Sequence, residues 1–170
     1  FKEDALRLLR AVRFVCQLGF SLEPKTERAI VKLAGSIKFI AKERQRDELI
    51  KILSSSGPYD GFIKLYKIKL LHYLIPELEE GVDLKQNYHH IYSVFDHLFL
   101  SLKFCPSPDW RVRFASLLHD IAKPRSLQVI DGQTTFYNHE YLGEKMTRKI
   151  MQRLKFANTD IDKVTTLVRN

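Results

Sequence analysis

The chain has 170 residues, of which 45% are hydrophobic and 28% charged, a composition that excludes collagen-like, low-complexity and mostly disordered proteins. Its 28 Lys and Arg against 20 Asp and Glu leave a net charge of +8, which indicates a polyanionic partner such as nucleic acid or, equally, a need for solubility. Two cysteines, Cys16 and Cys105, and no long apolar run predict a cytoplasmic protein with no membrane partner.

Helical periodicity dominates the first half of the chain. Apolar residues recur at helical spacing over 3–18, with Gly19 as the stop, and Pro24 suits the first turn of a second helix over 24–35. A third helix is expected over 40–53. One or two short helices are expected over 62–74, before Pro76.

The second half of the chain is also helical, after an acidic connector at 77–88. Helices are predicted over 90–104, 109–123 and 141–154, and a last one from about residue 158. Only 127–137 looks strand-like, with Asp131-Gly132 placed as in a hairpin turn. The sequence therefore predicts an all-α fold with two helical regions, 1–76 and 89–170. Because the chain starts without Met and stops just after a helical run, we expect a segment of a longer protein.

A charged pair near the start of the first helix could recognise a base. Asp4 and Arg7 are three residues apart, so they share one face of a helix. A carboxylate accepts from an exocyclic amino group and a guanidinium donates to a ring nitrogen, so the pair would accept cytosine or adenine and mismatch uracil or guanine. A surface ion pair explains the same spacing, and spacing alone favours that simpler interpretation.

Residues 3–14, followed by Gln17-Leu18-Gly19-Phe20, resemble the neck of class II tRNA nucleotidyltransferases and bacterial poly(A) polymerases. In that family a Glu-Asp-x-x-Arg motif reads the incoming nucleotide, a role that the resemblance assigns to Asp4 and Arg7. A second motif, Glu-Arg-x-x-x-Glu, braces the neck helices. Its counterparts in this chain are Glu43, Arg44 and Glu48, which would also suit an ordinary ion pair along a helix.

The resemblance implies that the parent enzyme transfers nucleotides from CTP or ATP to the 3′ end of tRNA or another RNA. The Mg²⁺-dependent catalytic head of the family is expected upstream of Phe1, because this chain has no Gly-rich loop and no Asp-x-Asp pair in a strand context. No residue of the chain is therefore predicted to catalyse nucleotidyl transfer. CCA addition, A addition and poly(A) synthesis stay open, since the matching residues are shared among them.

Histidines cluster in the second region. A lone helical His is more often a packed or exposed residue than a ligand, but imidazole and carboxylate together suit a divalent metal. The order His, His-Asp, His on consecutive helices resembles the HD superfamily of metal-dependent phosphohydrolases. This resemblance implies a site for Mn, Ni or Mg. HD domains end their ligand set with a later Asp, which we expect just beyond Asn170, so the resemblance implies that the HD region is truncated at its C-terminus. The implied ligands are His97, His119 and Asp120, with His139 as a weaker candidate.

Other features keep more than one interpretation. Lys123 and Arg125 follow the His-Asp pair closely and are predicted to hold a substrate phosphate. His89 and His90 suit a helix N-terminal turn better than a role beside the metal or RNA. The lysines near Tyr66, which are Lys64, Lys67 and Lys69, suit either an RNA backbone or an ordinary solvated helix face. As a whole, the chain could also be a free-standing HD phosphohydrolase or a non-catalytic RNA-binding scaffold.

Overall fold

A computed structural model describes residues 4–84, 92–130 and 133–170, and in these parts the predicted all-α fold is confirmed. The chain divides into two compact units, Phe1–Pro76 and Glu77–Asn170. His89, His90 and the predicted turn Asp131-Gly132 lie outside the described residues. Both cysteines are free thiols. No helix in the described parts is long and apolar enough to cross a bilayer.

The first unit follows the predicted helices, and the segment predicted as one or two short helices forms two. Gly19 ends the first helix in the left-handed conformation (φ 68°). The helical segment predicted over 62–74 begins earlier, at Pro58, and its two helices are separated where Lys69 takes a φ of 65°. The elements are α1 Leu6–Leu18, α2 Pro24–Leu33, a 3-10 helix Ala34–Phe39, α3 Lys42–Leu53, α4 Pro58–Lys67 and α5 Leu71–Leu74.

The core of the first unit forms where α1 packs against α3 and α4. Its fully buried side chains are mainly aliphatic, and they include Leu8, Leu9, Val12, Leu49, Ile52, Leu53, Phe62 and Leu65. Gly61 of α4 has no room for a side chain. A Cβ atom at this position would lie 2.5 Å from Sγ of Cys16 and 2.7 Å from Cγ2 of Ile52. Gly61 therefore lets α4 pack directly on α1 and α3.

The second unit is built on α10, which packs against both α7 and α9, while α6 packs against α7. The helix predicted over 109–123 ends sooner, at Leu118, and the chain turns before α8 begins at Lys123. A 3-10 helix, Pro76–Gly81, spans the boundary of the two units. The other elements are α6 Val94–Phe104, α7 Trp110–Leu118, α8 Lys123–Ser126, β1 Gln128–Ile130, β2 Gln133–Thr135, α9 His139–Arg153 and α10 Asn158–Arg169.

The predicted strand-like segment forms a small antiparallel hairpin. Ile130 pairs with Gln133 and Gln128 with Thr135, so two residues connect the strands. All three side chains of β1 are exposed, and the pairing therefore adds little to the core. The hairpin connects α8 to α9 along the chain.

The acidic segment after Pro76 is tied to the second unit by ion pairs. The carboxylate of Glu77 accepts from Nη1 and Nη2 of Arg153 at 2.6 and 2.8 Å, and Glu80 pairs with Arg125. Burial acts to raise the pKa of Glu77, but the hydrogen bonds from Arg153 and its own backbone hold that pKa below the usual range. The predicted connector 77–88 lies partly outside the described residues, so its bounds stay a prediction.

Substitution of Gly61 tests the close packing of the first unit. Gly61→Ala should lower the free energy of unfolding by up to about 2 kcal/mol, because overpacking costs roughly 1–3 kcal/mol and the gain in helix propensity offsets roughly 1 kcal/mol of it. Urea denaturation followed by circular dichroism measures the change. Gly35→Ala is the matched control, since a Cβ there would meet the Tyr73 hydroxyl at an ordinary 3.5 Å. Equal stability of the Gly61 variant and the wild type would contradict the close approach.

Candidate functional site

The residues of the predicted metal site meet where α6, the turn after α7, and the start of α9 come together. His97 lies in the first turns of α6, and His119 directly follows α7. Asp120 lies in the turn that ends α7 early, and His139 is the first residue of α9. Because α7 stops at Leu118, the two neighbouring residues His119 and Asp120 both face His97.

The distances among three donor atoms fit a single divalent ion. Nε2 of His97 lies 3.0 Å from Nε2 of His119, and Oδ2 of Asp120 lies 3.2 and 3.3 Å from these two nitrogens. Ligands about 2.0–2.2 Å from one ion are roughly 3.0–3.5 Å apart at octahedral or tetrahedral angles. Two imidazoles and a carboxylate are a donor set that transition metals accept, so these residues can hold one ion.

Backbone carbonyls orient two of the imidazoles. Nδ1 of His119 lies 2.9 Å from the carbonyl oxygen of Ser116, and Nδ1 of His139 lies 2.7 Å from that of Phe136. A carbonyl oxygen can only accept, so each Nδ1 carries a proton. In the neutral ring the lone pair is then on Nε2, which is the atom that faces Asp120 in both residues.

Asp120 is a buried carboxylate, only 5% exposed, to which four side chains point. Its Oδ2 accepts from Lys123 at 2.7 Å, while His139 Nε2 lies 3.2 Å from Oδ1. Burial acts to raise the pKa of Asp120, but hydrogen bonds from His119, His97 and Lys123 hold that pKa far below its usual range. Burial likewise acts to lower the pKa of His119, yet the hydrogen bond and charge of Asp120 leave it raised.

The two predicted phosphate contacts are placed differently. Lys123 is at the site, with its ammonium on Asp120 and 5.6 Å from the centre of the Phe136 ring. Arg125, two residues later, forms a two-pronged pair with Glu80. The sequence contained no signal for this pairing, because Glu80 lies 45 residues away.

The predicted nucleotide-reading pair lies at the start of α1. Oδ1 of Asp4 accepts from the N–H of Leu6 at 2.9 Å, and Oδ2 accepts from Nη2 of Arg44 at 3.2 Å. The hydrogen bond from the Leu6 N–H lowers the pKa of Asp4, burial opposes this shift, and the charge and hydrogen bond of Arg44 lower the pKa further. Asp4 is therefore an oriented, ionised carboxylate, and Arg7 is exposed one turn further along the chain.

The second predicted motif contacts both α1 and Asp4, which precedes it. Besides the Arg44 pair with Asp4, the buried carboxylate of Glu48 lies 3.1 Å from Nη1 of Arg13 and 3.2 Å from Nζ of Lys51, with Arg10 at 3.9 Å. Glu43 is exposed in the first turn of α3. This arrangement supports the bracing role predicted for the motif.

Sequence reasoning missed one polar residue inside that motif. Gln45 is fully buried, and its Nε2 donates to the carbonyl oxygens of Ile37 and Ile40 at 2.9 and 2.7 Å. These bonds attach α3 to the end of the preceding 3-10 helix. The only sequence signal for this role would have been an uncharged polar residue in a helix whose other polar residues are charged.

Comparison with known proteins covers nearly the whole chain. A family model described as the probable RNA and SrmB-binding site of polymerase A matches residues 19–81, and an HD domain model matches residues 88–170. The chain is 38% identical to the A-adding tRNA nucleotidyltransferase of Deinococcus radiodurans, over 99% of the chain and 41% of that relative.

Two further relatives agree with this match. The CC-adding tRNA nucleotidyltransferase of Thermus thermophilus is 31% identical over 98% of the chain and 41% of the relative. The multifunctional CCA protein of Tolumonas auensis is 30% identical over 93% and 40%. The chain thus spans about two fifths of the length of the curated relatives that it matches.

Metal titration tests the three-residue donor set. The chain should bind Mn²⁺ or Ni²⁺, and His119→Ala should weaken the affinity about ten-fold or more, because a ligand is lost. Affinity should fall as the pH is lowered, starting above the usual His range, since Asp120 raises the pKa of His119 and a proton competes for Nε2. Isothermal titration calorimetry across pH measures both effects.

The control for this titration is His72→Ala, which removes an exposed His of the first unit. It should leave metal affinity unchanged. Equal binding by the His119 and His72 variants would show that the donor set does not hold the ion.

Proposed function

Because the chain belongs to the family of tRNA nucleotidyltransferases and bacterial poly(A) polymerases, of which it carries the neck and HD regions, we propose that its first unit selects the nucleotide added to an RNA 3′ end. The donor would be CTP or ATP and the acceptor tRNA or a related RNA. Transfer itself would use Mg²⁺ held outside these 170 residues. The relatives named above differ in which nucleotides they add, so the choice between C and A is part of the proposal.

The oriented carboxylate of Asp4 is the observation that carries this proposal. An ionised carboxylate has about four acceptor positions, and the Leu6 N–H and Arg44 use only two of them. The others can accept from the exocyclic amino group of cytosine or adenine, while Arg7 donates to the adjacent ring nitrogen. Arg44 would act through Asp4, as a positioning residue.

The distribution of charge supports RNA as the partner of the first unit. Residues 1–76 carry 15 Lys and Arg against 8 Asp and Glu, whereas residues 77–170 carry 13 against 12. Almost all of the net positive charge therefore belongs to the unit that the RNA-binding model matches. Phosphate neutralisation by such a surface supplies much of the affinity of proteins for nucleic acids.

Nucleotide choice tests the role of Arg7. In the complete enzyme, Arg7→Ala should reduce discrimination against UTP and GTP by about ten-fold or more, because a two-pronged base contact contributes roughly 1–3 kcal/mol. Ratios of kcat/KM for the four nucleotides measure this. Arg28→Ala, which removes an exposed charge from α2, is the matched control and should keep the ratios of the wild type. Unchanged ratios in the Arg7 variant would contradict a role of Arg7 in reading the base.

The donor set of the second unit supports a separate proposed activity, the hydrolysis of phosphate esters. Its donor set fits a divalent ion, which when bound would acidify a water molecule and polarise a phosphate oxygen. His97, His119 and Asp120 would hold that ion. Lys123, whose ammonium lies on Asp120, would bind a phosphate oxygen, and His139 would orient the same carboxylate from its other side.

Hydrolysis of a 2′,3′-cyclic nucleotide tests this second activity. With Mn²⁺ or Ni²⁺ supplied, the chain should release a nucleoside monophosphate, and His119→Ala should abolish release. Lys123→Gln should raise KM more than it lowers kcat, because it removes a phosphate contact and keeps the ligands. Chromatography of the products gives the rates. Metal binding without hydrolysis would contradict the activity and leave the metal site standing.

A further inference from the structure

Two lysines of the first unit lie over tyrosine rings. Nζ of Lys38 is 4.9 Å from the centre of the Tyr73 ring, and Nζ of Lys69 is 5.7 Å from that of Tyr66. Both lysines are exposed, and both tyrosines are half-buried. The pairs belong to neighbouring elements, since α5 packs against α4 and against the 3-10 helix that carries Lys38.

We infer that Lys38, Phe39, Tyr66, Lys69 and Tyr73 form one surface, the basic-aromatic surface, which binds single-stranded RNA through its phosphates and one unpaired base. The inference rests on the proposed function for RNA as the partner, and it adds the residues and the kind of RNA. Lysines hold phosphates and aromatic rings stack on bases, which is the combination that single-strand binding proteins use.

The structure separates the lysines that the sequence could not distinguish. Lys64 is directed to Glu27, with Nζ 3.5 Å from both carboxylate oxygens. In the described part of the chain, neither Lys38 nor Lys69 pairs with a carboxylate, and each ammonium group lies over a tyrosine ring instead. A ring leaves the ammonium charge uncompensated, so both lysines can still attract phosphate.

Phe39 supplies the feature that a merely solvated helix face would lack. It follows Lys38 at the end of the 3-10 helix and is 89% exposed, the most exposed large apolar side chain in the described residues. A base without a pairing partner could stack on this ring. In a duplex the bases are already stacked on their neighbours, so the surface should prefer single-stranded RNA.

The backbone conformation of Lys69 allows a substitution whose effects on stability and on RNA binding should differ in sign. Lys69 has a φ of 65° and closes α4, with its N–H bonded to Tyr66 O and the N–H of Leu70 bonded to Leu65 O. Glycine is the usual residue at such a helix end, because a side chain there is strained. Lys155 in the second unit has the same geometry, with a φ of 60° and equivalent bonds from its own N–H and that of Phe156.

The test measures RNA affinity and stability on the same variants. Fluorescence anisotropy with labelled oligoadenylate, repeated at several salt concentrations, should show binding by the wild type and weaker binding to a blunt RNA duplex. Lys69→Gly should raise the urea midpoint and yet weaken binding, with the salt slope reduced by about 0.7. Phe39→Ala should weaken binding roughly five-fold or more and leave the salt slope unchanged.

Lys155→Gly is the matched control, since it relieves the same strain and removes the same charge from the other unit. It should raise stability and keep RNA affinity. Absence of RNA binding by the wild type would overturn the proposed RNA partner itself. Normal binding by both Lys69→Gly and Phe39→Ala, or equal losses in the Lys69 and Lys155 variants, would overturn the basic-aromatic surface while leaving RNA binding intact.

Discussion

A carboxylate removed from water must be matched by cations or N–H donors, and the described residues include such a group in each of the two units. In the first unit it is Glu48, 2% exposed and matched by Arg13, Lys51 and, at longer range, Arg10. In the second unit it is Asp120, matched by three imidazoles and Lys123. Loss of these partners would leave an uncompensated buried charge. Because that would cost free energy, the helices that carry the partners are kept packed around the carboxylate.

The chemistry of the matching groups separates a brace from an exchangeable site. Arginine stays charged at any ordinary pH and has no lone pair to offer, so the Glu48 cluster can only hold α1 and α3 together. A neutral imidazole instead offers a lone pair at Nε2, and the rings around Asp120 can coordinate an ion as well as donate to the carboxylate. The same electrostatic requirement thus gives a structural brace in one unit and a candidate metal site in the other.

The two motifs of the first unit act as one assembly. Arg44 of α3 reaches the carboxylate of Asp4, 40 residues earlier, and Glu48 one turn further along α3 reaches the arginines of α1. The orientation of the proposed base-reading carboxylate therefore depends on the packing of α3. Any change that shifts α3 along α1 would move Asp4 relative to its partner, even if the helices themselves stayed intact.

The sequence by itself determined the helices, the hairpin and the candidate donor residues, because these depend on local spacing, turn residues and a family motif. It could not determine that α7 stops at Leu118, since the apolar pattern continues to Ala122 and only packing shows where the chain turns. It also could not show which basic side chains pair with carboxylates. Lys64 pairs with Glu27, Arg125 with Glu80 and Arg153 with Glu77, at separations of 37, 45 and 76 residues. Periodicity is a local property of the chain, whereas the partner of a charged side chain is decided by which helices pack side by side. Only the tertiary structure therefore shows which charges hold the fold together and which still face solvent.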